Sequence, residues 1–365
     1  MTDEDDLEQR AALLRTKLAA ELSAELAHDS AWLAAFERVP RHTLVPVHYG
    51  TGRSRVSVDD PGTREEWLTS VYTDTSLVTH LTDGGATSSS TQPSLMARML
   101  RALLVADDSR VLEIGTGTGY NAALLAHRLG DERVTSIDVS EEITGPARER
   151  LAAAGYHPRV ITGDGAVGTP GARYDRIIAT CRADRVPTAW LDQLAPGGMI
   201  VAPIAGGLAR VHPSERGATG EFLGPASFMA MRSGPGSGVP VGDLSLLGGV
   251  APRRSVLPAA ALADTRYRFL AGVAVPGLMW SYDELTGGVP AGARCWDGAE
   301  SVAELDADGM ARQAGPRALW SELERAYIAY QGGGRPTHDR YGLTVSPDGA
   351  QRVWLDTPAG PAWPL

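Results

Sequence analysis

The sequence predicts an α/β protein: a Rossmann-like, doubly wound sheet of parallel strands followed by a smaller α+β domain. Three observations carry this. Between Ser94 and Ile204, short apolar runs alternate with segments of helical period, a pattern that favours parallel strands joined by helical crossovers. A glycine-rich turn, Gly115-Thr116-Gly117-Thr118-Gly119, lies between the first of these strands and the helix that leaves it. Beyond Pro240 the texture changes to short strands, one helix and a closing hairpin. Length agrees, because 365 residues exceed the usual size of one domain. The expected division is 1–235 and 241–365, with the glycine- and proline-rich Arg232–Pro240 as the linker.

Taken in order, residues 1–35 read as helical, with an apolar stripe at Leu14, Leu18, Leu22 and Leu26. Pro40 and Pro46 impose extended or turn structure on Arg38–Gly50. A looser stretch follows, ending in the polar run Gly84–Pro93, which composition reads as a loop. Ser94–Val105 is an apolar-periodic helix, Arg110–Ile114 a strand, and Asn121–Leu129 the next helix. Arg133–Ser140 is a second strand, and Glu141–Gly155 a helix interrupted at Gly145-Pro146. Arg159–Gly165, Tyr174–Cys181 and Met199–Ile204 supply three more strands, with a helix at Val186–Leu194 closed by Pro196-Gly197-Gly198. In the C-terminal part, Arg268–Val275, Gly292–Trp296 and Glu300–Ala307 read as strands. A helix follows Gly315-Pro316, with Trp320, Leu323, Tyr327 and Ile328 on one face, and the final hairpin turns at Pro347-Asp348-Gly349. Trp280, Trp296, Trp320 and Trp354 read as core.

Composition narrows the function. The chain carries 34 Lys+Arg against 44 Asp+Glu, a formal charge of −10. That balance argues against nucleic-acid and anionic-membrane partners, which recruit dense basic patches. No run approaches the ~18 apolar residues of a membrane span, and the start MTDEDDLEQR lacks a secretory pattern. Cys181 and Cys295 show no metal spacing and no disulfide framework. The expectation is a cytoplasmic protein without a metal site. Cys181 reads as a buried small hydrophobe, and His80, His127 and His157 as surface or packing residues.

The chemistry concentrates around the glycine turn. Glycine lets backbone approach a ligand and takes positive φ without steric penalty. Glu113 stands just before the turn, where a carboxylate accepts from a cationic amino group. Asp138 ends the second strand, the place of an acid that accepts from ribose hydroxyls, with Val139 beside it. Gly163-Asp164-Gly165 ends the third strand, where an adenine amino group would lie. The turn is G-x-G-x-G rather than the G-x-G-x-x-G of dinucleotide sites, so S-adenosylmethionine is the better ligand. Glu113, Gly115, Thr116, Gly117, Gly119, Asp138, Val139, Gly163, Asp164 and Gly165 are its candidate contacts.

The region from Arg38 to Ile204 resembles the protein-L-isoaspartate O-methyltransferases. The family's V-P-R-x-x-F-V-P segment appears as Val39-Pro40-Arg41-His42-Thr43-Leu44-Val45-Pro46, and its Y-x-D-x-P-L as Tyr72-Thr73-Asp74-Thr75-Ser76-Leu77. Its T-I-S-Q-P loop appears as Ser89-Ser90-Thr91-Gln92-Pro93, and Thr162–Gly165, Tyr174–Ile178 and Val186–Gly198 keep its order and spacing. The resemblance implies a class I S-adenosylmethionine-dependent methyltransferase fold and carboxyl O-methylation. It also implies that the loop's hydroxyl orients the acceptor carboxylate, a role that falls on Thr91 and Ser90, with Ser88, Ser89, Gln92 and Pro93 as substrate contacts.

Two departures stand out. Thr91 replaces the S-Q-P serine within the hydroxyl run Thr87–Thr91, and a second domain follows the resemblance. Both are similar to a subgroup associated with ribosomally made, modified peptides such as lanthipeptides and graspetides. That subgroup methylates a precursor-peptide aspartate, and the ester then closes to aspartimide. The expected partner is therefore a macrocyclised precursor peptide, and protein repair is the alternative. An amino-methylating nucleic-acid enzyme would carry D/N-P-P-Y/F after the fourth strand, where this chain has Ala179-Thr180-Cys181-Arg182.

Overall fold

The computed structural model describes residues 3–82, 85–232, 234, 242–282, 285–286, 289–298 and 300–365. The chain divides into two compact units. The first comprises 1–181, 187–202 and 228–238; the second comprises 182–186, 203–227 and 239–365. The division departs from the expected 1–235 and 241–365 in placing 182–186 and 203–227 with the second unit. Most of the expected linker Arg232–Pro240 lies outside the described residues.

The first unit holds five strands in the order Arg159–Thr162, Val134–Asp138, Val111–Ile114, Tyr174–Ala179 and Leu194–Ile204, each pair parallel. The chain winds outward from Val111–Ile114 in both directions, which makes this strand and Tyr174–Ala179 the topological switch where such sheets bind ligands. Val111–Ile114 is buried throughout, as a strand covered on both faces must be. The helix Pro93–Ala102 leads into Val111–Ile114, and Tyr120–Leu129, Glu141–Ala153 and Thr188–Asp192 lie between successive strands. Glu141–Ala153 runs unbroken through Gly145-Pro146, contrary to the expected interruption: Pro146 removes one N–H from the ladder without ending the helix.

Two further differences lie before the parallel strands. The expected single N-terminal helix is two, Asp3–Glu21 and Ser30–Arg38, because Asp29 caps the second by accepting from the backbone N–H of Ala31 and Trp32. Leu18, Leu22 and Leu26 are buried as the stripe requires. The polar run read as a loop is instead the strand Gly85–Ser90, antiparallel to Leu77–Thr82. These two join Val47–Tyr49 and Arg55–Ser57 in a small four-stranded sheet.

In the second unit, Gly207–Ser214, Gly217–Pro225, Tyr341–Val345, Gln351–Leu355 and Ala362–Pro364 form an antiparallel sheet in that order. The hairpin turns at Pro347-Asp348-Gly349 as read, with Gly349 at φ +83°. Ala293–Trp296 and Val302–Leu305 are strands of a second antiparallel sheet. Arg268–Val275, read as a strand, belongs to the helix Thr265–Ala274, started by Asp264 accepting from the Arg266 N–H. Tyr267, Phe269, Leu270, Ala271 and Val273 are all buried, and the second half, Phe269–Ala274, is a continuous apolar run that shows no helical period. In the helix Leu319–Gly332, Trp320 and Leu323 are buried, whereas Ile328 is 62% exposed and not on the packed face. Trp296 and Trp320 are core, and Trp280 and Trp354 are half-buried.

Candidate active site

A cleft opens in the first unit at the carboxyl end of Val111–Ile114, the place where open α/β sheets bind ligands. Its floor is the glycine turn. Gly115, Gly117 and Gly119 have φ of +98°, +53° and +89°, a region L-residues rarely enter. A Cβ on Gly115 would lie 2.7 Å from Thr180 Oγ1, so glycine is required on steric grounds as well. A Cβ on Gly117 would lie 3.5 Å from Ser88 Oγ, which brings the turn against the hydroxyl strand.

Glu113 and Asp138 stand on either side of this turn. Glu113 is wholly buried and accepts from Asn121 Nδ2 at 2.8 Å and Ser136 Oγ at 2.5 Å. Burial pushes its carboxyl up to about 7; the two hydrogen bonds pull the other way, and the charge of Asp138 adds to the rise. Asn121 Oδ1, on the cleft wall, is buried without a partner. An orphan acceptor beside a buried carboxyl suits an ammonium group, the chemistry of an amino-acid headgroup. Asp138 accepts from the backbone N–H of Gly117 at 3.0 Å and of Val139 at 2.8 Å, so its carboxylate is fixed at the cleft edge. Its remaining lone pairs are those a ribose diol would use. The residues present thus fit S-adenosylmethionine on their own geometry.

Of the sequence-derived cofactor candidates, Thr116, Val139 and Gly165 also line the cleft. Gly119, Gly163 and Asp164 do not. Gly119 starts the next helix and packs on Leu151, whose Cγ would be 3.0 Å from an added Cβ. Asp164 caps its own turn, accepting from the Ala166 N–H at 2.8 Å. Cys181 lines the cleft with its thiol pushed up to about 12 by burial, as an inert hydrophobe would be.

The opposite wall is the hydroxyl run. Ser88, Ser89, Ser90 and Thr91 all face the cleft. Gln92 and Pro93 do not, and they serve the loop instead. Asp74 accepts from Gln92 Nε2 at 3.0 Å and from the Ser94 N–H at 2.8 Å, while Pro93 opens the helix behind. This clamp accounts for the acid of the Tyr72–Leu77 motif. Two wall components were missed from sequence. One is Phe228–Arg232, where Arg232 Nη2 donates to the Thr87 carbonyl at 3.2 Å; no motif marks it. The other is Arg41 beneath the wall, which was quoted in a motif but given no role.

Comparison with known proteins agrees with this geometry. The family model for protein-L-isoaspartate(D-aspartate) O-methyltransferase matches residues 60–223. The protein-L-isoaspartate O-methyltransferase of Ignicoccus hospitalis is 38% identical over 173 residues, 47% of this chain and 71% of that protein. That of Methylibium petroleiphilum is 37% identical over 198 residues, 53% of this chain; the match spans 64% of the relative. A solved structure described as a protein-L-isoaspartate O-methyltransferase superposes with a TM-score of 0.55 at 23% identity, covering 94% of this chain and 100% of that one. That likeness concerns the fold, which is the class I S-adenosylmethionine-dependent methyltransferase fold, and it extends well past the family-matched residues.

Proposed function

Because the chain belongs to the protein-L-isoaspartate O-methyltransferase family, we propose that it methylates a peptide carboxylate with S-adenosylmethionine as donor. The observation that carries this is the pairing of a glycine turn, flanked by Glu113 and Asp138, with a row of hydroxyls across one cleft. Bound S-adenosylmethionine supplies a methyl group already activated on a sulfonium. Glu113 and Asn121 would hold its amino group, and Asp138 its ribose. Ser90 and Thr91 donate to the acceptor carboxylate, which is already ionised and needs no general base. One carboxylate oxygen forms the new bond to the methyl carbon as the carbon–sulfur bond breaks, the electron pair staying on sulfur. Catalysis is then alignment and exclusion of water.

The acceptor we propose is an aspartate in a dedicated, modified ribosomal peptide of lanthipeptide or graspetide type. Thr91 in place of the family serine supports this reading. Attack by the neighbouring backbone nitrogen on the ester then expels methanol and closes an aspartimide. Repair of L-isoaspartyl residues is the second reading, favoured by the names of the matched relatives. Mass spectrometry of an L-isoaspartyl peptide with donor and purified protein separates them. A gain of one CH₂, or the loss of water that marks the succinimide, supports repair. An unchanged peptide, in a sample that demonstrably binds donor, supports the dedicated substrate. If precursor peptides encoded beside this gene are also unmodified, carboxyl methylation itself is refuted.

A further inference from the structure

Arg41 is wholly buried, and among the described residues no carboxylate lies within ion-pair distance of it. Its guanidinium is instead directed at neutral acceptors. Nη1 donates to the Val71 carbonyl at 2.7 Å, and Nη2 donates to Ser90 Oγ at 3.1 Å and to the Thr91 carbonyl at 3.2 Å. The group lies over the Tyr120 ring, 5.4 Å from its centroid, and Nε has no partner. Burying a cation without a counter-ion costs several kcal/mol, and burial depresses the Arg41 pKa accordingly. Packing alone is better served by an apolar side chain.

The hydrogen-bond direction explains the placement. A guanidinium has donors only, so Ser90 Oγ must accept from Arg41. The single hydroxyl proton of Ser90 is therefore turned away from Arg41, and among the described residues it finds no acceptor. Ser90 is 3% exposed and lines the cleft. We propose that Arg41 is a positioning residue that holds Ser90 as acceptor and aims its hydroxyl proton into the cleft as the main donor to the acceptor carboxylate. The same contact polarises the hydroxyl and strengthens the bond it gives. Arg41 thus acts through Ser90, and Ser90 outranks Thr91, which occupies the family's serine position. This rests on the carboxylate-methylation reading above.

A double-mutant cycle tests it, using the full chain, a carboxyl peptide that the wild type methylates, and S-adenosylhomocysteine binding by calorimetry as a separate readout. Ser90→Ala and Arg41→Met are each expected to lower kcat/KM roughly 10- to 100-fold, the worth of one charge-assisted hydrogen bond. The double variant is expected to be no worse than the poorer single, with S-adenosylhomocysteine affinity unchanged in all three. Effects that multiply, or a fully active Ser90→Ala, overturn the proposal. If Arg41→Met does not fold, Arg41→Lys keeps the charge but loses the fork spanning Ser90 and Thr91. It is expected to fall like Ser90→Ala, and wild-type turnover by Arg41→Lys overturns the proposal. A wild type that methylates no carboxyl peptide overturns the underlying reading; a wild type matched by Ser90→Ala overturns only this one.

Discussion

Lowering the pH should detach the cofactor through Glu113. In the free protein burial holds this carboxyl near 7, well above its ordinary value of 4.5, so it is largely protonated in mildly acidic solution. An ammonium ligand requires the ionised form, and its binding must expel the proton. Below neutrality the dissociation constant of S-adenosylhomocysteine should therefore weaken roughly tenfold per pH unit, or ~1.4 kcal/mol, reaching about a hundredfold near pH 5. The assay is calorimetric titration from about pH 8 to about pH 5, alongside Glu113→Gln. The variant has nothing to titrate and should bind weakly with a flat profile. The free fold responds in the opposite sense: a carboxyl whose folded pKa is raised stabilises fully below 4.5 and loses that contribution as pH climbs through about 7. The interval corresponds to roughly 3 kcal/mol, so the thermal midpoint without ligand should fall over that range by more in the wild type than in Glu113→Gln. A flat wild-type binding profile, or an equal slope in the variant, refutes the reasoning.

Three more outcomes follow from the same cleft. Thr91→Ala should reduce methyl transfer by less than Ser90→Ala while leaving S-adenosylhomocysteine affinity intact, and undiminished turnover removes Thr91 from the mechanism. Gly115→Ala forces a Cβ at φ +98° to within 2.7 Å of Thr180 Oγ1; a loss of roughly 1–3 kcal/mol in chemical denaturation is expected, with weaker cofactor binding. Cys181, half-buried on the cleft, and Cys295, buried, both have thiols pushed up to about 12 by desolvation, so both should react only slowly with iodoacetamide at about pH 8 in the native protein and readily after unfolding. Prompt native labelling of Cys181 would show that its thiol is more acidic than this environment allows.

The winding of the parallel strands was legible because each has its own apolar run, and Glu113 and Asp138 because strand ends are readable positions. The hydroxyl strand was not. Burial alternates along Thr87–Ser90, with Ser88 and Ser90 buried and Ser89 half-buried, yet all four are hydroxyl residues, so the period of two leaves no trace in composition. Thr265–Ala274 failed for the converse reason: its second half, Phe269–Ala274, is a continuous apolar run that reads as a strand. Arg41 was hidden by distance: its acceptors Val71, Ser90 and Thr91 lie 30 to 50 positions away, and the V-P-R motif marks the position without showing what it reaches. Asp164 also caps its own turn, accepting from the Ala166 N–H, a use of an acid after a strand that the sequence does not mark.

The chain leaves the first unit at 203 and rejoins it at 228, and the returning stretch carries Phe228–Arg232 to the cleft. During synthesis the polar grips for the cofactor therefore emerge early, on residues up to Cys181, while the last wall emerges only after two strands of the second unit have been made. A nascent chain paused between these points presents an open shelf rather than a cleft. Full affinity for the cofactor should be acquired late in translation, so a ribosome-bound series of increasing length would gain it in a step after Arg232 has cleared the exit tunnel.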